Sequence, residues 1–412
     1  MLSRPISLLI ALLILATVAP GIATAAPRPT AEQSLLALLP LAPEQLAWLC
    51  AELRAGGVFS FLPVEFHLAR YLAARLPIAC PWLALGQLEL ARALIPPATT
   101  PPAARWLQKL VSEAPMLGSL PQQVVNPRQV YGYNNLIRDL GYLAALYPDL
   151  ISVWSYATSV EGRPIPVVRL GSGHRSVLLT GSIHAREWMT TNLLMYQLEY
   201  YAKAATENKV LWGFDLRALL EETSLVVIPM VNPDGVVKAQ SNRAYRTWKA
   251  NANGVDLNRQ FPVNWEKTPI TKPSPAGYRG PAPLSEPEAA ALFRLTQALR
   301  PEASVMYHSR GGLIYWYFNQ QGADKARDLV LAQRISRTTY YPLLTERVTD
   351  PSYIGGGYKD WFIETFRRPS FTIEIGWEVN GQPVELYQWN HIWRENCDVA
   401  AILLDYAATQ PD

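Results

Sequence analysis

Residues 177–188 read VLLTGSIHAREW, and the way this stretch changes texture decides the fold. Val177, Leu178 and Leu179 form a short apolar run of strand type, the chain turns at Gly181-Ser182-Ile183, and helical spacing begins near residue 188. The pattern recurs further on. Leu225-Val226-Val227-Ile228 runs into Asn232-Pro233-Asp234-Gly235, and Ser304-Val305-Met306-Tyr307 and Ser370-Phe371-Thr372-Ile373 are further strand-like runs separated by helical ones. Strands alternating with helices predict an α/β domain whose sheet is covered on both faces. In such sheets the chemistry collects at strand ends.

Upstream, Asn126-Pro127 opens this texture, and Tyr131 to Leu146 reads as an amphipathic helix with Leu136, Leu140, Leu143 and Leu146 at helical spacing, stopping at Pro148. Before it, residues 26–126 are expected to form a small helical module with a stiff Pro-rich linker, Pro96-Pro97-Ala98-Thr99-Thr100-Pro101-Pro102. Residues 1–25 read as a signal peptide: Arg4, an uncharged apolar run from Ile6 to Val18, a Pro20-Gly21 break, and Ala23-Thr24-Ala25 as a small-x-small cleavage site. An uncleaved anchor is the alternative. The organisation is thus leader 1–25, helical region 26–126 and catalytic domain 127–412.

The 412 residues are 49% hydrophobic and 17% charged, which excludes a disordered polyelectrolyte. A net charge of +3, from 37 Lys+Arg against 34 Asp+Glu, gives no electrostatic case for nucleic acid. With three Cys and no CxxC spacing, a thiolate zinc site is excluded. Cys50 and Cys80 are near enough in sequence to pair, leaving Cys397; the alternative is three small buried hydrophobes.

Five His leave few candidates for imidazole chemistry. His184 and Glu187, three apart where a strand turns into a helix, can point at one ion. Imidazole nitrogen and carboxylate oxygen both suit zinc, and a catalytic zinc needs three protein ligands and an open position. His308, closing the run Val305-Met306-Tyr307, is the candidate third ligand, whereas His67, His174 and His391 read as satisfied or surface histidines. A ligating imidazole usually has its second nitrogen held by a carboxylate, a role suited to Asp256. Asn258 and Arg259 beside it offer an amide and a fork for a carboxylate, or else a polar loop.

His184-Ala185-Arg186-Glu187-Trp188, Tyr245-Arg246, Gly254-Val255-Asp256-Leu257-Asn258-Arg259, Tyr307-His308-Ser309 and Phe371-Thr372-Ile373-Glu374 occur in the order and approximate spacing of the zinc carboxypeptidase A-type family. The resemblance covers about 127–412, and Ser309-Arg310-Gly311-Gly312-Leu313-Ile314-Tyr315-Trp316 is most similar to the bacterial γ-D-glutamyl-L-diamino acid endopeptidases. It implies a mixed, mostly parallel eight-stranded sheet with helices on both faces, and one Zn²⁺ held by His184, Glu187 and His308. By the same resemblance Glu374 is the general base and Arg246 stabilises the oxyanion. Arg186 lines a substrate subsite, and Asn258 and Arg259 hold the free carboxylate of the released residue.

The family's mobile tyrosine corresponds best to Tyr353, one residue out of register, with Tyr358 as the rival. Lys359, just before Asp360-Trp361, falls where the family places the floor of the pocket for the released residue. A lysine there seeks an anion, such as the far carboxylate of diaminopimelate; a solvated surface lysine is the alternative. The expected function is an exported, secreted or wall-associated zinc peptidase that cuts the γ-D-glutamyl–diaminopimelate bond of peptidoglycan stem peptides. Removal of C-terminal acidic residues from ordinary peptides is the alternative. The expected partner is a peptide, with no nucleic acid, membrane contact only through an uncleaved leader, and a monomeric chain.

Overall fold

In a computed structural model of the chain, the described residues are 123–344, 355–377 and 383–410. The leader, the helical module and its linker, Cys50, Cys80, His67 and Tyr353 lie outside them. Ten strands are described: β1 (Ile151–Thr158), β2 (Pro164–Leu170), β3 (Arg175–Thr180), β4 (Val210–Leu211), β5 (Phe214–Asp215), β6 (Thr223–Ile228), β7 (Ala303–His308), β8 (Leu313–Tyr315), β9 (Leu343–Leu344) and β10 (Ser370–Glu374). Eight of them build one sheet in the order β1-β2-β6-β3-β7-β10-β8-β9, while β4 and β5 form a separate small hairpin. Its centre, β6-β3-β7-β10, is parallel, and antiparallel pairs flank it at β1-β2, β2-β6 and β10-β8. The expected mixed eight-stranded sheet is therefore present.

Successive strand residues point to opposite faces, and here both faces are apolar. On β6, Leu225 and Val227 enter one core while Val226 and Ile228 enter the other. The first core is closed by α1 (Tyr133–Leu146), α2 (Met189–Thr206), α3 (Leu216–Glu222), α6 (Gly322–Thr339), α8 (Trp389–Asn396) and α9 (Val399–Ala408). The second is closed by α5 (Pro287–Leu299) and α7 (Tyr358–Phe366). Helix α4 (Pro233–Ser241) starts as its sequence dictates: Pro233 is pre-set for the first turn, and the Asn232 side chain accepts the Gly235 N–H at 2.9 Å. The amphipathic helix read over Tyr131 to Leu146 is α1, with Leu136, Leu140 and Leu143 fully buried.

The described chain enters this body before residue 127. Val125 is fully buried, and the Val124 and Val125 N–H groups donate to the Glu199 carboxylate of α2 at 2.7 and 2.8 Å. Cys397 is a buried free thiol whose pKa burial pushes up to about 12, in keeping with a small core hydrophobe.

Candidate metal centre and substrate cavity

The turn after β3 is built under strain. Ser182 takes a left-handed φ of 47°, held by its N–H to Thr190 Oγ1 at 2.7 Å and its hydroxyl to Thr191 Oγ1 at 2.7 Å. At Gly181 a Cβ would meet Leu194 Cδ1 and the Pro229 carbonyl at 2.9 Å each, so only glycine fits where α2 closes on the sheet. This turn sends His184 and Glu187 inward. His308 ends β7, the strand paired in parallel beside β3, and the three side chains are buried together.

Their ligand atoms converge. His184 Nδ1 lies 2.9 Å from Glu187 Oε1, His308 Nδ1 lies 2.9 Å from Glu187 Oε2, and the two Nδ1 atoms are 3.1 Å apart. Asp256 explains which nitrogen faces inward. Its Oδ1 sits 3.1 Å from His184 Nε2 and accepts the Asn258 N–H, while Oδ2 accepts the Gly277 N–H. An ionised carboxylate only accepts, so His184 Nε2 carries the proton and Nδ1 presents a lone pair to the Glu187 oxygens. Acceptors facing one another at this distance need a proton or a metal cation between them. Donor atoms around a tetrahedral zinc stand roughly 3.3 Å apart, so the His-Glu-His group fits that ion.

The charges agree. Burial opposes the charge on His184, yet Glu187 and Asp256 raise its pKa above the ordinary value. Burial also acts against ionised Glu187 and Asp256, but imidazoles outweigh it: His184 and His308 hold Glu187 well below the usual carboxylate range, and His184 with Arg259 and Lys249 lowers Asp256. Glu374 behaves oppositely. It ends β10, opposite His308 in the parallel ladder, and burial followed by the negative charge of Glu187 pushes its pKa up to about 8.

A cavity of about 150 Å³ opens onto this cluster, lined among others by His184, His308, Glu374, Asn258, Arg259 and Lys359. Asn258 stands at a junction: its Nδ2 is 3.3 Å from His308 Nε2 and its Oδ1 accepts the Tyr358 N–H at 3.0 Å. Arg259 donates from Nη1 to the Asn258 carbonyl at 2.9 Å. Gly356 passes so close to Arg259 that a Cβ would lie 2.4 Å from its carbonyl oxygen. Arg186 is half-buried, and its charge bears on Glu374. Arg246 is not among the cavity-lining residues; it is partly exposed and ion-paired with Glu385.

Lys359 lines the cavity with its side chain 11% exposed, so it is not a solvated surface lysine. Nor is it a lone cation. Its Nζ pairs with Asp360 and donates to the Tyr317 carbonyl at 3.0 Å. Tyr358 is fully buried, hydrogen-bonded to Thr296 and packed against Phe261 and Trp361, which makes it a core residue rather than a moving one. His174 and His391 are exposed and stand apart from the metal-ligand group. Two residues escaped the sequence reading. Lys249 lines the cavity 3.9 Å from Glu187, and Asp360 was only a landmark there; neither sits in a pattern that would mark it, since tertiary proximity alone gives each its partner.

Comparison with known proteins places this geometry. The chain is 35% identical over 296 residues to γ-D-glutamyl-L-diamino acid endopeptidase 1 of Lysinibacillus sphaericus, an alignment spanning 66% of this chain and 72% of that one. Bovine thrombin-activatable fibrinolysis inhibitor, solved with a tick carboxypeptidase inhibitor, has the same fold at a TM-score of 0.60 and 19% identity, covering 68% of this chain and 98% of that one. Carboxypeptidase A of Helicoverpa armigera superposes with a TM-score of 0.55 at 19% identity, covering 79% and 81%. The profile of the zinc carboxypeptidases matches residues 136–398, which hold the whole His-Glu-His group, Asp256 and Glu374. The chain belongs to the zinc carboxypeptidase family, and it is a zinc-dependent peptidase.

Proposed function

We propose that this peptidase hydrolyses the γ-D-glutamyl–diaminopimelate bond of peptidoglycan stem peptides after export through the leader at residues 1–25. The observation that carries this is the cavity beside the metal group, whose lining includes two polar pairs, Arg259 with Asn258 and Lys359 with Asp360. A released residue with charged groups at both ends suits that lining, and diaminopimelate is such a residue. The name of the Lysinibacillus relative supports the same bond.

His184, Glu187 and His308 would hold the zinc, with Asp256 fixing the His184 ring. When bound, zinc supplies a Lewis acid for the scissile carbonyl and lowers the pKa of water. Glu374, beside His308, takes a proton from the attacking water and delivers it to the leaving amine. Asn258 and Arg259 bind and orient the near carboxylate of the residue released; Arg186, whose charge bears on Glu374, serves the substrate subsite, and Arg246 stabilises the oxyanion once it exchanges its ion pair with Glu385 for the substrate. Because Lys359 is already paired with Asp360, the lone cation that would favour removal of C-terminal acidic residues is missing.

Incubating the zinc-loaded protein with γ-D-glutamyl-diaminopimelate peptides and with peptides ending in L-glutamate tests the reading. Cleavage of the first set is expected; cleavage of the second set alone overturns it. Mass spectrometry of the protein from culture medium is expected to show a chain lacking residues 1–25, and a cell-retained chain with Met1 intact overturns export.

A further inference from the structure

We propose that Lys359 and Asp360 act jointly as a subsite for a zwitterion, the ammonium and carboxylate carried on one carbon at the far end of a diamino diacid. The inference rests on the reading above that this cavity receives the residue released from the C-terminal side of the cut bond. It goes further by making Asp360, and not Lys359 alone, the selector.

Both side chains line the cavity and are mostly withdrawn from water, 11% and 22% exposed. They pair with each other, and Lys359 Nζ donates in addition to the Tyr317 carbonyl and lies 5.8 Å from the Phe318 ring centroid. The lysine therefore has its counter-charge before any ligand arrives. A ligand group with a single charge must break this pair to use one half. It leaves the other half in a cavity wall with no partner, which is costly for a partly desolvated ion. A neutral group leaves the pair intact. A group bearing both charges can bind crosswise, carboxylate to Lys359 and ammonium to Asp360, so that every charge stays matched and hydrogen-bonded. The near end of the same residue would meet Asn258 and Arg259 in the same cavity. The pocket thus favours diaminopimelate over residues that share only its carboxylate or only its amine.

Four γ-D-glutamyl substrates separate these cases: meso-diaminopimelate, L-α-aminopimelate (no far ammonium), L-lysine (no far carboxylate) and L-norleucine (neither). The expected kcat/KM for diaminopimelate exceeds aminopimelate and lysine on the order of tenfold or more, and neither of those two exceeds norleucine. Asp360→Asn is expected to raise aminopimelate relative to diaminopimelate, and Lys359→Met to bring diaminopimelate down to the level of lysine. Aminopimelate cleaved as well as diaminopimelate by the wild type overturns the proposal, whether or not the variants fold. If no γ-D-glutamyl substrate is cut, the proposed function fails instead. The subsite is then judged by calorimetric binding of the four free amino acids to the zinc-loaded protein. The same order is expected there, and equal affinities overturn it.

Discussion

His308 and Glu374 are partners across two parallel strands, the last residues in register where β7 and β10 run side by side. Parallel neighbours emerge from the same edge of a sheet, so a metal ligand and an acid–base group come out together with no loop needed to aim either. Glu374→Gln keeps the shape and removes the proton carrier. Zinc content should stay at wild-type level while kcat falls by about 10²–10⁴, measured on the substrate that the wild type cleaves. A variant with near-normal turnover would take Glu374 out of the reaction.

The Asp256 carboxylate holds the outer nitrogen of His184 at 3.1 Å. Asp256→Ala should weaken zinc binding by about 10–100-fold, read by competition with a chromophoric chelator. Unchanged zinc affinity would show that the ring is oriented by other contacts. Because Asp256 also accepts the Asn258 and Gly277 N–H groups, a melting curve should accompany the measurement.

Burial, and then Glu187, push Glu374 up to about 8 in the folded protein without metal, whereas an unfolded chain titrates it near about 4.3. Between those values the folded state holds a proton that the unfolded state has lost. The contribution of Glu374 to stability therefore declines as pH rises from the lower value to the upper one. Metal-free Glu374→Gln should be close to wild type near pH 5 and more stable by about 2–4 kcal/mol near pH 8. Denaturant unfolding at both pH values decides, and parallel curves would contradict the raised pKa.

Glu199 receives the N–H groups of Val124 and Val125 where the chain enters the domain. Glu199→Ala would strand both donors in a buried place, at a cost of about 2–3 kcal/mol. Lower denaturant midpoints, and faster proteolysis just before Val124, are the expected results. Wild-type values for both would mean that the entry segment is held by packing alone.

Much of this was legible in the sequence, for identifiable reasons. The β3, β6, β7 and β10 strands are apolar on both faces because helices cover them twice, so they stand out as continuous runs. Strand β1 did not, because beyond Val153 it is only half-buried, and β8 and β9 are three and two residues long, too short to carry a period. His184, Glu187, His308 and Glu374 were readable because strand ends and a short strand-to-helix turn place them, and local sequence specifies both. Partnerships over long separations were not. The Glu385 partner of Arg246 lies 139 residues away, and Lys249 reaches Glu187 only once the loop before Asp256 has folded back. Lys359 was located by its neighbours Asp360 and Trp361, but that Asp360 would neutralise it depended on rotamers that no pattern encodes.

One amide has a consequence for anyone wishing to redirect this enzyme. Asn258 touches His308 with one end and the first residue of α7 with the other, and α7 also carries Lys359 and Asp360. Selectivity and cation affinity are therefore not separate modules that can be tuned one at a time. Grafting another relative's helix to change the preferred substrate will disturb how the ion is held unless the graft brings its own matching asparagine contact, and selection for new specificity should be run with metal occupancy monitored alongside.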